Sequence, residues 1–353
     1  MGLSGAILVH KDAWITLPHA SDARVTNVDA LAAASNAMMA GPGAQPQSIL
    51  FASDSFGLNR LNLADGAGAY ATQTGEVVTR WDSQWQRVEL WLFDFHHHLF
   101  TGDTGEAVLG VAALCGLFFV ISGIFLWWQT RKTFEFRLLP RRMSRPAIVR
   151  HHRDLGVIVA PLLLIALFTG AVFAFRPVAA LLLGPGIEAE LDAASRPPEP
   201  RPAPLAPDFD WGAAIRQAHA RFPEAELRIL SLPRKDNGLV TVRMRQPEEW
   251  LPNGRTMVWF AADTGAVVAT RDSRQHSARV TAYNRFYPLH AAKVGGLLYR
   301  LAMTFAGLAL ALLGGLATWT FWFKGGRKAG RAPARGKAPA RSAPAAARTS
   351  PAD

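Results

Sequence analysis

Residues 95–128 read FHHHLFTGDTGEAVLGVAALCGLFFVISGIFLWW: three consecutive histidines, then an apolar run closing on two tryptophans. From 107 to 128 the run carries no Asp, Glu, Lys or Arg, and the same holds for 155–175 and 301–323. Each stretch has about the 20 residues that cross a hydrocarbon core at a helical rise of roughly 1.5 Å. Backbone N–H and C=O groups in lipid have to be paired within their own segment, so each stretch predicts a helix. Trp127 and Trp128 close the first, and Trp319 and Trp322 the last, at the interfacial level that indole rings favour. Three buried helices of a large soluble protein are the alternative, but uninterrupted apolar runs of this length rarely occur there. The pattern predicts an α-helical integral membrane protein with three spans present.

The formal net charge is +11, which raises the question of nucleic acid, but its placement points elsewhere. Arg131, Lys132, Arg137, Arg141, Arg142, Arg145, Arg150 and Arg153 fall between the first two apolar stretches. Lys324, Arg327, Lys328, Arg331, Arg335, Lys337, Arg341 and Arg348 follow the third. Residues 1–104 instead hold five Lys/Arg against ten Asp/Glu. Short basic loops stay on the cytoplasmic side during insertion. The positive charge is therefore a topology signal, and no nucleic-acid partner is expected. The chain divides into an outer segment 1–104, a span 105–128, a basic cytoplasmic loop 129–154, a span 155–175, an outer segment 176–296, a span 297–323 and a cytoplasmic tail 324–353. The tail, rich in Ala, Pro and Arg, is expected to be disordered.

An exported 1–104 segment needs something to carry it across, yet no signal peptide with a basic n-region and full apolar core precedes it. The opening MGLSGAILVHKD reads as the outer end of a hydrophobic helix. This leads to the expectation of a fourth span ahead of Met1, with a three-span chain and an exported N-terminus as the alternative. Cys115, the single cysteine, lies inside the first stretch, and the chain has no CxxCH for covalent haem attachment; a small apolar filler is the expectation for it.

Both outer segments read as small α+β modules. The second has a Pro-rich linker, RPPEPRPAP at 196–204, then a helix over 211–221 and alternating strands around 226–232, 238–245, 255–261 and 266–271. Asn253-Gly254 is a hairpin signal between two of them. The first has a helix near 28–39 and strands near 48–52, 60–63 and 70–72. The halves also repeat: YATQTGEVV at 70–78 recurs as FAADTGAVV at 260–268. Each copy leads to a histidine and then a span, His96 before the first and His290 before the last, with Gly102 and Gly296 each six residues beyond. A duplicated unit explains this, and membrane repeats commonly place a functional site at their interface.

Imidazoles beside apolar helices are common axial ligands of b-type haem, and six-coordinate haem needs two from different helices. His96 and His290, as equivalent members of the repeat, are candidates for such a pair on the outer side. His97 is the alternative within the triplet, because neighbours on a helix point about 100° apart. His152 is a candidate on the inner side, with no partner in the sequence. A transition-metal site, or plain interfacial histidines, are also open on spacing alone. His10, His19, His219 and His276 lack a suitably placed span and read as surface residues.

The segments FHHHLFTGDTGEAVLG…SGIFLWW, HHRDLGVIVAPLLLIALFTGAVFAF and LHAAKVGGLLYR resemble the PepSY-associated transmembrane family. Its members are four-span, iron-regulated inner-membrane proteins with PepSY-like modules in their periplasmic loops, and the likeness covers the chain apart from the tail. Some members resemble haem-containing ferric-siderophore reductases. The resemblance implies bis-histidine haem b, with the outer ligands on His96 and His290 and the inner ligand on His152. It implies an oxidoreductase that takes electrons from a cytoplasmic or membrane donor and delivers them to a periplasmic ferric-siderophore. Arg153 and Arg285 could pair with haem propionates or simply mark the interface. The rival reading is a non-enzymatic PepSY-type binding or regulatory module on a membrane anchor. A transporter of iron chelates ranks last, since the spans offer only small hydroxyls, Gly and Pro such as Ser122, Pro161, Thr169 and Gly170.

Overall fold

The computed structural model describes residues 1–41, 44–233 and 237–322. Its helices are α1 (Gly2–Leu8), α2 (Lys11–Trp14), α3 (Val28–Met39), α4 (Val88–His98), α5 (Asp103–Thr130), α6 (Arg145–Ala174), α7 (Ala180–Leu183), α8 (Ile187–Ser195), α9 (Trp211–Arg221), α10 (Ala278–Asn284), α11 (Phe286–His290) and α12 (Gly296–Trp322). The strands are β1 (Ser48–Leu50), β2 (Asn59–Asn62), β3 (Gly68–Ala71), β4 (Val77–Trp81), β5 (Glu226–Ser231), β6 (Leu239–Arg245), β7 (Thr256–Ala261) and β8 (Val267–Arg271).

The strands form one antiparallel sheet in the order β4-β3-β2-β1-β5-β6-β7-β8. Two four-strand meanders, one from each repeat, meet where β1 pairs antiparallel with β5, Ile49 opposite Leu230. That pairing removes one open edge from each module. Helices α3 and α9 lie together on the sheet, started by equivalent caps: Asn27 Oδ1 accepts from the Asp29 and Ala30 amides, and Asp210 Oδ1 from the Ala213 amide. Asn36 Oδ1 accepts from the Gly212 amide at 2.9 Å and locks the two helices together. Ile49, Ile215, Leu230, Val242 and Phe260 lie in the apolar core between helices and sheet.

Three helices, α5, α6 and α12, are long and apolar enough to cross a membrane. On α5, Phe119 is 69% and Leu126 66% exposed, a surface that water would penalise and lipid does not. The central helix is α6, packed against both α5 and α12, with Leu155, Val159 and Leu163 meeting Ala306, Ala309 and Leu313. Helix α1 lies on α12 through a close glycine crossing, where a Cβ on Gly2 would come within 2.5 Å of the Gly307 carbonyl oxygen. Small residues of this kind let helix backbones approach in membranes.

Several expectations need correction. Helix α6 starts at Arg145, well before residue 155, because Pro146 occupies its first turn, where a missing N–H costs nothing. His152 is therefore on a helix and not in a loop. The hairpin expected at Asn253-Gly254 is present, β6 pairing antiparallel with β7, and its connection is a longer turn in which the Gly254 amide bonds the Leu251 carbonyl. The region before the Pro-rich linker holds α7 and α8, which pack through Ile187 and Leu191 onto Val280 and Phe286. Strand β4 was not expected; it is half-exposed along most of its length and lacks a clear alternation. The tail, 324–353, and residue 323 lie outside the described residues.

Candidate functional site

Both repeats deliver their histidine in the same way. Helix α4 ends at His98 and reverses through Leu99 and Phe100, at φ of 48° and 63°, before Gly102 at 60° opens α5. Helix α11 ends at His290 and reverses through Ala292 at 49°, before Gly296 at 61° opens α12. At Gly102 and Gly296 the left-handed backbone costs little because no Cβ is present. Leu99, Phe100 and Ala292 adopt it at of order 1 kcal/mol or more each, a strain that surrounding structure has to hold. On the α11 side Tyr299 does so, its hydroxyl donating to the Leu289 carbonyl at 2.9 Å, while the Lys293 amide bonds the Pro288 carbonyl at 2.8 Å.

These reversals bring His96 and His290 together, ring centroids 6.3 Å apart and planes inclined by 52°. Each ring is anchored through Nδ1. His96 Nδ1 meets Ser4 Oγ at 2.9 Å, and that hydroxyl donates its proton to the Met1 carbonyl. His290 Nδ1 meets Thr169 Oγ1 at 2.8 Å, and that hydroxyl donates to the Ile165 carbonyl at 2.6 Å. A hydroxyl whose proton is engaged can only accept, so the network assigns Nδ1–H to both imidazoles and leaves the lone pair on Nε2. Two glycines make room for the rings: a Cβ on Gly5 would lie 3.0 Å from His96 Cε1, and one on Gly170 would lie 3.6 Å from His290 Cε1.

Burial pushes the His96 imidazole down to about 3, with His290 and His97 nearby adding to the effect. Burial also pushes His290 down to about 4, with His97 adding and a hydrogen bond to the Ala166 carbonyl opposing. Both are neutral at ordinary pH, the state that can ligate a metal.

Of the other two histidines of the triplet, His97 stacks on Phe93 at 4.1 Å with its ring 5.6 Å from that of His96, and His98 Nδ1 bonds Asp94 Oδ1 at 3.0 Å. His97 still lines the same cavity as His96 and His290, a space of about 630 Å³ between α1, α5, α6 and α12. His152 lies at its far end, separated from the His290 contact at Gly170 by about 27 Å of α6. Close to His152 a Cβ on Gly156 would meet nothing within 4 Å, as is also the case for Gly123 and Gly314 on the facing helices. Next to it Arg153 grips Asp154 through two nitrogens, at 2.6 and 3.0 Å, and reaches Thr133 on the α5–α6 connection. Arg285 is over the Trp250 ring at 4.8 Å. Arg153 is thus already paired with a carboxylate, whereas the contact of Arg285 is with a ring face.

Some of the working residues were not expected. Ser4 and Thr169 could be found only through their contacts, since a serine or threonine in an apolar helix ordinarily bonds its own backbone. Asp154, 1% exposed, is marked in the sequence by its position, since a carboxylate at the start of an apolar helix requires a partner. His10, read as a surface residue, bonds Thr304 Oγ1 on α12 at 2.8 Å. Among the described residues no three His, Cys, Asp or Glu side chains are grouped to hold a metal ion; the site presents two imidazoles. Metal–imidazole bonds of about 2 Å on either side of one ion put two ring centroids roughly 6 Å apart, so the pair fits a bis-imidazole ligand set.

No curated protein matches the chain. The family described as "PepSY-associated TM region" matches residues 1–324, which takes in all three spans, the whole sheet and every histidine discussed above. The chain is a multi-pass membrane protein that belongs to the PepSY-associated transmembrane family.

Proposed function

We propose that this protein holds haem b between His96 and His290 and passes electrons across the bacterial inner membrane to ferric iron, carried as a ferric-siderophore, on the outer side. The observation that carries the reading is the pair of facing imidazoles, each fixed through Nδ1–H so that Nε2 is the ligand atom. Outer-shell partners of this kind set the tautomer and orientation of ligating histidines. Bound there, haem b supplies one-electron chemistry at a potential set by its axial imidazoles and its burial.

The chain's own part is to position and insulate. Phe173 packs edge-on against the His290 ring at 5.4 Å, and apolar residues of α5, α6 and α12 form most of the cavity wall. His152, at the opposite end, is placed towards the donor side if the basic 131–144 connection is cytoplasmic, as charge distribution predicts. The sequence has no GxGxxG fingerprint, so reducing equivalents come from a cytoplasmic or membrane partner.

The test is the optical spectrum of detergent-purified protein supplied with haem. A Soret band that His290→Ala abolishes supports the reading; a wild-type chain that gives no band sinks it. One observation favours the second reading, a non-enzymatic PepSY-type binding or regulatory protein. The soluble region has its own cavity of about 210 Å³, lined by Arg24, His219 and Glu226 among others. On that reading, biological activity survives the loss of both histidines.

A further inference from the structure

At the His96/His290 end the cavity wall carries two lysines, Lys11 and Lys293. Lys293 follows His290 closely and donates to Asp12 Oδ2 at 2.8 Å. Asp12 also accepts from Ser55 Oγ at 2.8 Å, so its carboxylate is already engaged twice. Lys11, the first residue of α2, is half-buried and makes no hydrogen bond or ion pair with any described residue. The charges that act on it are Asp12 and Glu89 in its favour and Lys293 and Arg60 against. Glu89 is itself held by Arg87 at 2.7 Å. The acid on the cavity wall, Glu106, lies 4.0 Å from His98 Nε2. Burial lowers Lys11 from the ordinary lysine value, only partly offset by Asp12. A half-buried ammonium on the wall of an apolar cavity with no carboxylate in hydrogen-bond contact is costly unless something negative enters that cavity.

The cavity thus has two neutral nitrogen ligands, apolar walls, and two lysines on its wall at the same end as those ligands. A ligand that matches all three has a metal centre, a flat apolar body and carboxylates at one edge. Resting on the haem reading above, we infer that Lys11 and Lys293 form the carboxylate-binding rim of this site and take the propionates of the porphyrin whose iron His96 and His290 ligate. Lys11 is the principal contact, because Lys293 is shared with Asp12. The rim fixes the orientation of the macrocycle, with its carboxylates at the His96/His290 end and its apolar edge towards the membrane interior.

The experiment uses the full chain, haem-free, in detergent. It is titrated in parallel with haem b and with haem dimethyl ester, in which both propionates are esterified, and the Soret band is followed. The wild type should bind haem at least about tenfold tighter than the ester, the size of one charge-assisted hydrogen bond. Lys11→Met should lose that preference while binding the ester as the wild type does, and Lys11→Arg should restore it. Lys11→Gln, which removes the charge but keeps a polar head, should behave as Lys11→Met and guards against a folding defect peculiar to the methionine. A Lys11→Met protein that keeps the wild-type preference overturns the inference, and so does one that weakens both ligands equally. If the wild type gives a Soret band with neither ligand, the haem reading falls and takes the rim with it; that outcome is distinct from a band that forms without dependence on Lys11.

Discussion

The two ends of the membrane cavity are built differently. At the His96/His290 end two repeat-related helices each contribute an imidazole, and each imidazole is held by a hydroxyl from another helix. At the His152 end a single exposed imidazole borders the cavity together with three glycines at which a Cβ would meet nothing within 4 Å. The difference follows from the duplication. Equivalent positions of two like modules meet when their sheets join edge to edge, so a residue placed once by the repeat appears twice in one site. Helix α6 corresponds to α1 in this scheme, since Ser4 and Gly5 on α1 meet His96 as Thr169 and Gly170 on α6 meet His290; among the described residues no second imidazole joins His152 at its end of the cavity. The energetics also divide. The paired end is organised by neutral hydrogen bonds, while the single end is organised by the buried Arg153–Asp154 pair, which fastens the α5–α6 connection to α6.

The largest expected effect breaks the comparison outright. His96→Ala or His290→Ala should each abolish the Soret band of the paired end, whereas His152→Ala should leave that band in place; the visible spectrum of each purified variant decides. Next, Asp154→Asn should destabilise the His152 end by about 1–3 kcal/mol, since the buried Asp154 carboxylate accepts from half-exposed Arg153 and from the Glu135 amide. Denaturant unfolding in detergent measures this, with the spectrum of the paired end as the control. Smaller, and specific to the paired end, Thr169→Val should weaken haem binding about tenfold by freeing the His290 ring, as losses of outer-shell partners do. Thr169→Ser should retain most of the affinity.

A separate effect is a pH dependence. His96 and His290 titrate near 3 and 4 in the folded protein, against 6.5 for an ordinary histidine. As pH falls below about 6.5 the unfolded chain takes up protons that the folded chain refuses, so stability drops until the folded rings protonate near pH 4. Haem-free wild type should therefore lose thermal stability between about pH 6.5 and 4, and His96→Phe should flatten that slope.

Much of the architecture is legible in the residues. Charge-free runs identify all three spans, because lipid tolerates neither unpaired backbone nor uncompensated charge. Helices α3 and α9 match their expected bounds residue for residue, as Asn27 and Asp210 are capping residues ahead of apolar periodicity. The recurrence of Thr74-Gly75 and Thr264-Gly265 announces two like modules, and they prove to be two meanders of one sheet. Periodicity says nothing of the β1–β5 junction, because an edge strand looks the same whether its partner is water or another strand.

The site divides along the same line. Sequence alone picked out His96, His290 and His152 as the informative histidines, since each sits where a soluble segment meets an apolar helix. It left His96 and His97 as alternatives, and only the direction in which α4 enters the membrane bundle turns His96 towards His290 and His97 towards Phe93. Ser4 and Thr169 belong to the site through contacts spanning many residues of chain, and Lys11 only lines its cavity. Local pattern records what a residue prefers to be near, water or apolar surface; which hydroxyl receives which imidazole, and which ammonium is left without a counter-ion, is decided when distant segments pack together.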